Sequence, residues 1–281
     1  MRCRSPKAMN SSQDLARLAP CAPPALPSSF PCRPVPDSWS RSLVGESGCT
    51  VYRTMDPHLG ELYLKHGEGV FAHDVAAEHE RLVWLGALWP VPEVAGFHHE
   101  RDHAWLMTHA LRGRTAWEVL SDPDADAEAL SFSFGRFLDR LHGIPANACP
   151  FDASHSGRME IARERIARGE VDEGDFDDAR KGWSAAQVWS ELQSLLPIRA
   201  DTVVTHGDFS LDNLLMEDGR ITGCIDVGRC GLADRYQDLA IMWNCLGEFG
   251  GRCQSAFLRG YGLDSPDDRR LSFFLLLDEL F

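Results

Sequence analysis

Apolar and polar positions along this chain follow two periods, and the change between them divides it. From about Trp39 to Ala110 the runs are short and alternating. ELYLK sets Leu62 and Leu64 against Tyr63 and Lys65, which reads as a strand with two different faces. VAGFHH and HAWLMT read as two more strands around a polar ERD turn, and SLVGESGCTVYRT reads as strand, turn, strand. One helix interrupts them from His73 to Leu88, with Val75, His79, Leu82, Leu85 and Ala87 on one face. Beyond Gly113 the helical period dominates. LSFSFGRFLDRLHGIP, AAQVWSELQSLL, GLADRYQDLAIMWNCLGEFG and LSFFLLLDELF are predicted helices, and TVVTH and ITGCIDVG are predicted strands among them.

Composition narrows the class. With 44% apolar and 25% charged residues the chain is that of a water-soluble globular protein, and 281 residues can bury one large or two modest cores. No apolar run approaches the ~20 residues needed to span a bilayer, so no membrane association is expected. The net charge of −14 argues against a nucleic-acid partner and suits a cationic small molecule. Nine cysteines, none in a CxxC pair, read as reduced thiols in a reducing compartment, which implies a cytoplasmic location. Residues 1–40 are rich in Pro, Ser and Cys without an apolar core segment, and are expected to form a mobile tail, not a signal peptide. The eleven histidines show no metal-ligand spacing in sequence; His98, His99 and His103 fall in a polar turn.

The candidate chemistry lies in HGDFSLDN and ITGCIDVG. Asp208 stands two residues after a His and five before Asn213, the layout of a protein-kinase catalytic loop. The following strand delivers Asp226 at its end, where a metal-binding carboxylate would sit. Together they point to a magnesium-dependent phosphotransferase. Upstream, Lys65 could meet nucleotide phosphates with Glu78 as its partner, Tyr63 could stack on a base, and Ser47 lies in a glycine-flanked turn able to cover phosphates. Each also has an ordinary reading, as a solvent-facing lysine, an exposed helix glutamate or a plain hairpin. Backbone groups near Thr108 to Ala110 are candidates for a purine edge. Asp238 is the candidate brace for the loop backbone. His142 reads as a helix C-terminal cation or a core contact.

The chain end breaks a local rule. Asp278, Glu279 and the terminal carboxylate of Phe281 place three negative charges where a helix dipole is already negative, at ~0.3–1 kcal/mol each if exposed. Either a cationic ligand compensates them or the end is frayed and hydrated.

These residues resemble one family. VVTHGDFSLDNL, GCIDVGRCGLADRYQDLAI, GEVDEGDFDD and LLDELF are similar to strings of the aminoglycoside 3′-phosphotransferases, closest to their type I branch, from about Gly45 to Phe281. The resemblance implies an α+β, bilobal, protein-kinase-like fold. Residues 41–110 would form an N-terminal nucleotide lobe with an antiparallel sheet plus a helix, and 111–281 a larger, mainly helical catalytic and drug-binding lobe. It implies transfer of the γ-phosphoryl of ATP, with GTP left open, to the 3′-hydroxyl of kanamycin- or neomycin-type drugs, by a monomer or weak dimer. It makes Asp208 catalytic and Asn213 and Asp226 ligands of Mg²⁺. Ser47, Tyr63, Lys65, Glu78, Met107, Thr108 and Ala110 fall on nucleotide-binding positions. Asp177, Asp178, Arg229, Asp278, Glu279 and Phe281 fall on drug-binding positions. Asn244 and Cys245 stand where type II members carry an Arg-Asp pair, which bears on drug range. Another small-molecule kinase of the same fold, acting on choline, homoserine or a fructosamine, is the alternative.

Overall fold

The structure is a computed structural model that describes residues 18–28, 30, 35–43 and 48–281. Ser47 and the phosphate-covering turn around it lie outside the described residues. The chain opens with strands β1 (Leu18–Pro20), β2 (Ser40–Ser42), β3 (Thr50–Asp56) and β4 (Gly60–Glu68), then helix α1 (Val70–Leu85). Strands β5 (Val94–Glu100), β6 (His103–His109) and β7 (Arg114–Thr115) precede helices α2 (Ala116–Leu120), α3 (Ala127–His142), α4 (His155–Arg168) and α5 (Ala185–Ser194). Four short strands follow: β8 (Thr202–Thr205), β9 (Leu214–Glu217), β10 (Arg220–Cys224) and β11 (Gly231–Asp234). Helices α6 (Tyr236–Gly247), α7 (Gly251–Tyr261) and α8 (Asp268–Asp278) complete it.

Two compact units result. One contains the described residues up to Glu118 together with Leu214–Gly228; the other contains Val119–Asn213 and Arg229–Phe281. The first is built on an antiparallel sheet in the order β1-β2-β3-β4-β6-β5. Alternation along β4 gives that sheet two faces. Leu62 and Leu64, with Met107 opposite Leu64, bury one face against Phe30 and Trp39. The predicted mobile tail is therefore corrected over part of its length. Leu18–Pro20 is an edge strand, and Cys21, Leu26 and Phe30 cover an apolar face that would otherwise meet water. Lys65 and Phe97, both opposite Leu106, lie on the other face, where His79 of α1 stacks on Phe97 with ring centroids 3.9 Å apart. A smaller sheet, β10-β9-β7, belongs to the same unit.

The second unit is helical apart from the antiparallel pair β8 and β11. Its tightest crossing joins α3 to α7. A Cβ on Gly135 would collide with the Phe257 carbonyl, and one on Gly260 with the Phe132 carbonyl, so both positions require glycine. Local caps start these helices: Asp126 accepts from Ala129 N–H at 3.0 Å ahead of α3, which begins three residues before the predicted Leu130, and Ser184 and Gln187 form a capping box ahead of α5. One helix was drawn too long. Gly231–Asp234 pairs with β8 as a strand, and the Asp234 carboxylate, accepting from Asp201 N–H and Tyr236 N–H, ends it before α6 begins.

Among the described residues, Cys21, Cys49, Cys149, Cys224, Cys230 and Cys253 carry free thiols. No helix among the described residues is long and apolar enough to cross a membrane.

Candidate active site

The catalytic-loop motif leaves β8 at His206 and turns sharply. Gly207 has φ +87°, and a Cβ there would run into the backbone of Arg229, so glycine alone fits between His206 and Asp208. Asp238, in the first turn of α6 and fully buried, accepts from His206 N–H at 2.7 Å and Gly207 N–H at 2.8 Å. The brace read from sequence is thus present as a pair of charge-assisted hydrogen bonds, each worth ~1.5–3 kcal/mol net. His142 lies 3.0 Å from the same carboxylate through Nε2, and its Nδ1 is 2.8 Å from the Tyr261 hydroxyl. Burial raises the Tyr261 pKa, so the hydroxyl stays protonated. His142 is a core contact that seats Asp238. Within the loop, Asn213 Nδ2 donates to the Asp208 carbonyl at 2.9 Å, and Gln237 Nε2 to the Gly207 carbonyl at 3.3 Å. The Asp208 side chain emerges from a buried, immobilised turn and is itself 4% exposed.

In the other unit, Lys65 on β4 is held between two carboxylates. Its Nζ donates to Glu78 of α1 at 2.5 Å and to Asp226, just after β10, at 3.1 Å. Burial alone would lower the Lys65 pKa, but Asp226 and Glu78 reverse that and hold it above the ordinary lysine range. Glu78 is buried, whereas 38% of the Asp226 side chain is exposed, so the triad is open on the aspartate side. Asp226 also has φ +59°, a left-handed conformation that a non-glycine residue keeps only when its surroundings enforce it. Tyr63 shares the Lys65 face and is partly exposed. Thr108 stands opposite Tyr63 in the sheet.

The expectation for a purine edge along residues 107–110 is modified. The Met107 side chain is buried in the opposite face with Leu64, Phe30 and Trp39, which leaves only its backbone for a ligand. Ala110 N–H donates to the Glu61 carbonyl at 3.0 Å and His109 N–H to the Glu93 carbonyl at 2.9 Å. Those two amides are already used within the sheet, because the strand pairing continues one residue past the predicted strand end.

The acidic chain end is gathered by arginines that sequence reading missed. Arg158 of α4 lies 3.5 Å from Asp278. Arg180 lies 3.2 Å from Glu279 and 3.5 Å from Asp177. Arg165 donates to the carbonyls of Leu280 and Phe281 at 3.1 and 3.2 Å. The guanidinium carbons of Arg158, Arg229 and Arg165 stand 4.6, 5.7 and 5.8 Å from the centroid of the Phe281 ring. Burial pushes the Arg158 pKa down to about 10, partly offset by Asp278, so it remains charged at neutral pH. The broken dipole rule therefore has an internal compensation. Glu279 is closed off: its side chain is 2% exposed and also accepts from Asp177 N–H. Asp177, whose Oδ2 accepts from Asn244 at 3.4 Å, and Asp278 remain partly open. The structure thus unites Asp177, Arg229, Asp278, Glu279 and Phe281, while the side chain of Asp178 lies outside the described residues. One signal pointed to the arginines: Arg158 and Arg165 are seven residues apart, two turns along one helix face.

Known proteins share this arrangement of the chain. Residues 44–274 match the profile APH, the phosphotransferase enzyme family. An aminoglycoside 3′-phosphotransferase of Escherichia coli is 47% identical over 268 residues, covering 95% of this chain and 99% of its own. A crystal structure of an aminoglycoside 3′-phosphotransferase of type VIII superposes with a TM-score of 0.78 at 36% identity, over 87% of this chain and 94% of its own. The aminoglycoside phosphotransferase APH(3″)-Id of Streptomyces rimosus, in complex with ADP and streptomycin, superposes with a TM-score of 0.73 at 28% identity, over 84% and 93%. With its kinase-like mixture of antiparallel sheet and helices, this chain belongs to the phosphotransferase enzyme family and, within it, to the aminoglycoside 3′-phosphotransferases.

Proposed function

We propose that this chain phosphorylates the 3′-hydroxyl of kanamycin- or neomycin-type aminoglycosides with ATP, and that Asp208 is its catalytic base. The observation that carries the acceptor class is the near-full-length identity of 47% to an aminoglycoside 3′-phosphotransferase. The roles of individual residues rest on chemistry. As the 3′-oxygen attacks the γ-phosphorus, the bond to the β–γ bridging oxygen breaks, ADP leaves, and the hydroxyl proton passes to Asp208. A carboxylate on a loop fixed by Asp238 and Asn213 suits this role, because orientation is most of what phosphoryl transfer asks of the protein. Lys65, kept charged by Asp226 and Glu78, pairs with the nucleotide phosphates.

The donor set fits magnesium. The Asp226 carboxylate and the Asn213 amide oxygen, whose nitrogen is turned to the Asp208 carbonyl, are the hard oxygen ligands that Mg²⁺ selects. When bound, Mg²⁺ supplies charge neutralisation at the phosphate oxygens. Tyr63, Thr108 and the backbone of Met107 and Ala110 contact the base, and Ser47 the phosphates. Asp177, Asp178, Asp278 and the Phe281 carboxylate meet the drug's ammonium groups, with Arg229 at their border. Glu279 positions Arg180 and Asp177.

A coupled ADP-release assay separates this reading from its alternatives. Release with kanamycin, and background release with choline, with tobramycin (which lacks a 3′-hydroxyl) and without acceptor, is the expected result. Choline-dependent release, or equal release with tobramycin, would overturn it.

A further inference from the structure

The sheet brings together two histidines and a glutamate that are far from metal-ligand spacing in the sequence. His66 and Glu68 lie two apart on β4 and so share a face, and His103 on β6 stands opposite Glu68. This is the face opposite Lys65. His66 Nε2 and His103 Nδ1 are 3.3 Å apart, and Glu68 Oε1 lies 4.0 and 3.7 Å from them. The three ligand atoms all fall within 4.8 Å of one another. Ligand atoms ~2.1 Å from a tetrahedral ion are ~3.4 Å apart. The two nitrogens already match that separation, and Glu68, with 68% of its side chain exposed, has the freedom to close the rest.

The imidazoles are also held in place. The His66 ring stacks on Trp105 at 4.8 Å and 11°, and on His103 at 5.5 Å and 10°. The other nitrogen of His103 faces the exposed Asp102 carboxylate at 3.7 Å, beyond hydrogen-bond distance. From this geometry we infer a binding site for a divalent transition metal, Zn²⁺, Ni²⁺ or Cu²⁺, formed by His66, Glu68 and His103. Two imidazoles and one carboxylate favour these ions over Mg²⁺, so the site is chemically separate from the oxygen ligands of the phosphotransfer reaction. A bound ion ties β4 to β6 where β4 turns through Gly69 into α1, a turn already joined to Asp102 by the Gly69 N–H bond of 2.7 Å.

The test uses untagged full-length protein freed of metal with a chelator. Titration with NiCl₂ or ZnCl₂ in a calorimeter, and the Cu²⁺ electron paramagnetic resonance spectrum, are compared among wild type, His66→Gln, His103→Gln and Glu68→Gln. Wild type is expected to bind one ion with two nitrogen ligands in the copper spectrum and to melt at a higher temperature with metal. Each histidine variant should bind at least ~10–100-fold more weakly, since losing even an outer partner costs that much. Glu68→Gln should be weakened less, and MgCl₂ should produce neither effect. If His66→Gln fails to fold, His103→Gln and Glu68→Gln, at more exposed positions, decide the matter. Absence of stoichiometric binding, or binding that all three variants retain, would overturn the site.

Discussion

Two groups of carboxylates in the helical unit solve the same electrostatic problem by different means. Asp238 is fully buried and meets fixed partners, two backbone amides and the imidazole of His142. Asp177, Asp278 and Glu279 meet arginine side chains from α4 and the short turn at Arg180. Backbone donors are set by the path of the chain, so the first arrangement permits one geometry and serves to aim Asp208. Guanidiniums on long side chains are set by rotamers and not by the path of the chain, and here they pair in a largely buried setting, with Arg180 14% and Glu279 2% exposed. The first group fixes the backbone of one loop, and the second leaves Asp177 and Asp278 partly open.

The largest effect should come from the residue that the rigid group aims. Asp208→Asn is expected to lower kcat by ~10²–10⁴-fold while ATP binding, measured by calorimetry, stays near wild type. Near-normal turnover in that variant would remove Asp208 from the mechanism. Next comes the brace. Asp238→Ala leaves His206 and Gly207 with buried, unbonded amides, and should cost at least ~3 kcal/mol in urea denaturation together with a drop in kcat. A loss below ~1 kcal/mol would show that the loop holds its shape without Asp238. The smallest effect belongs to the arginine-held end. Arg180→Ala strands the buried Glu279 and should destabilise the protein by ~1–3 kcal/mol, while Arg180→Ala with Glu279→Gln should recover most of it. Without that recovery, Arg180 contributes by packing and not by pairing, and the contrast between the two groups weakens.

How much was readable from the sequence follows the same division. The loop was legible because its parts are contiguous: Asp208 and Asn213 lie in one eight-residue string, and Asp238 follows in the next apolar helix. Lys65 and Glu78, 13 residues apart, were legible because a strand face and a helix face each announce their period. Contacts set by tertiary packing were not. Arg158 meets Asp278 across 120 positions, and its spacing from Arg165 marks a shared helix face without saying what that face meets. Phe30 and Trp39 were lost in a Pro- and Ser-rich stretch whose composition hides two core side chains. His66 and His103 became neighbours only through the β4–β6 register, which strand periods alone do not give. The apolar content of Gly231–Asp234 suits either a helix or a strand, and pairing with β8 decides it.

The short return of the chain, Leu214–Gly228, has a consequence for recombination. The sheet-bearing unit is not one stretch of the gene. It needs a second, distant segment that brings strands β9 and β10 and the aspartate that grips Lys65. A crossover placed near Glu118 would exchange the sheet-bearing segment without Asp226. A chimera that keeps the Lys65 pair intact must carry both segments from one parent. Shuffling among relatives should therefore accept a crossover near Glu118 only when two further crossovers flank residues 214–228, and reject it when it stands alone.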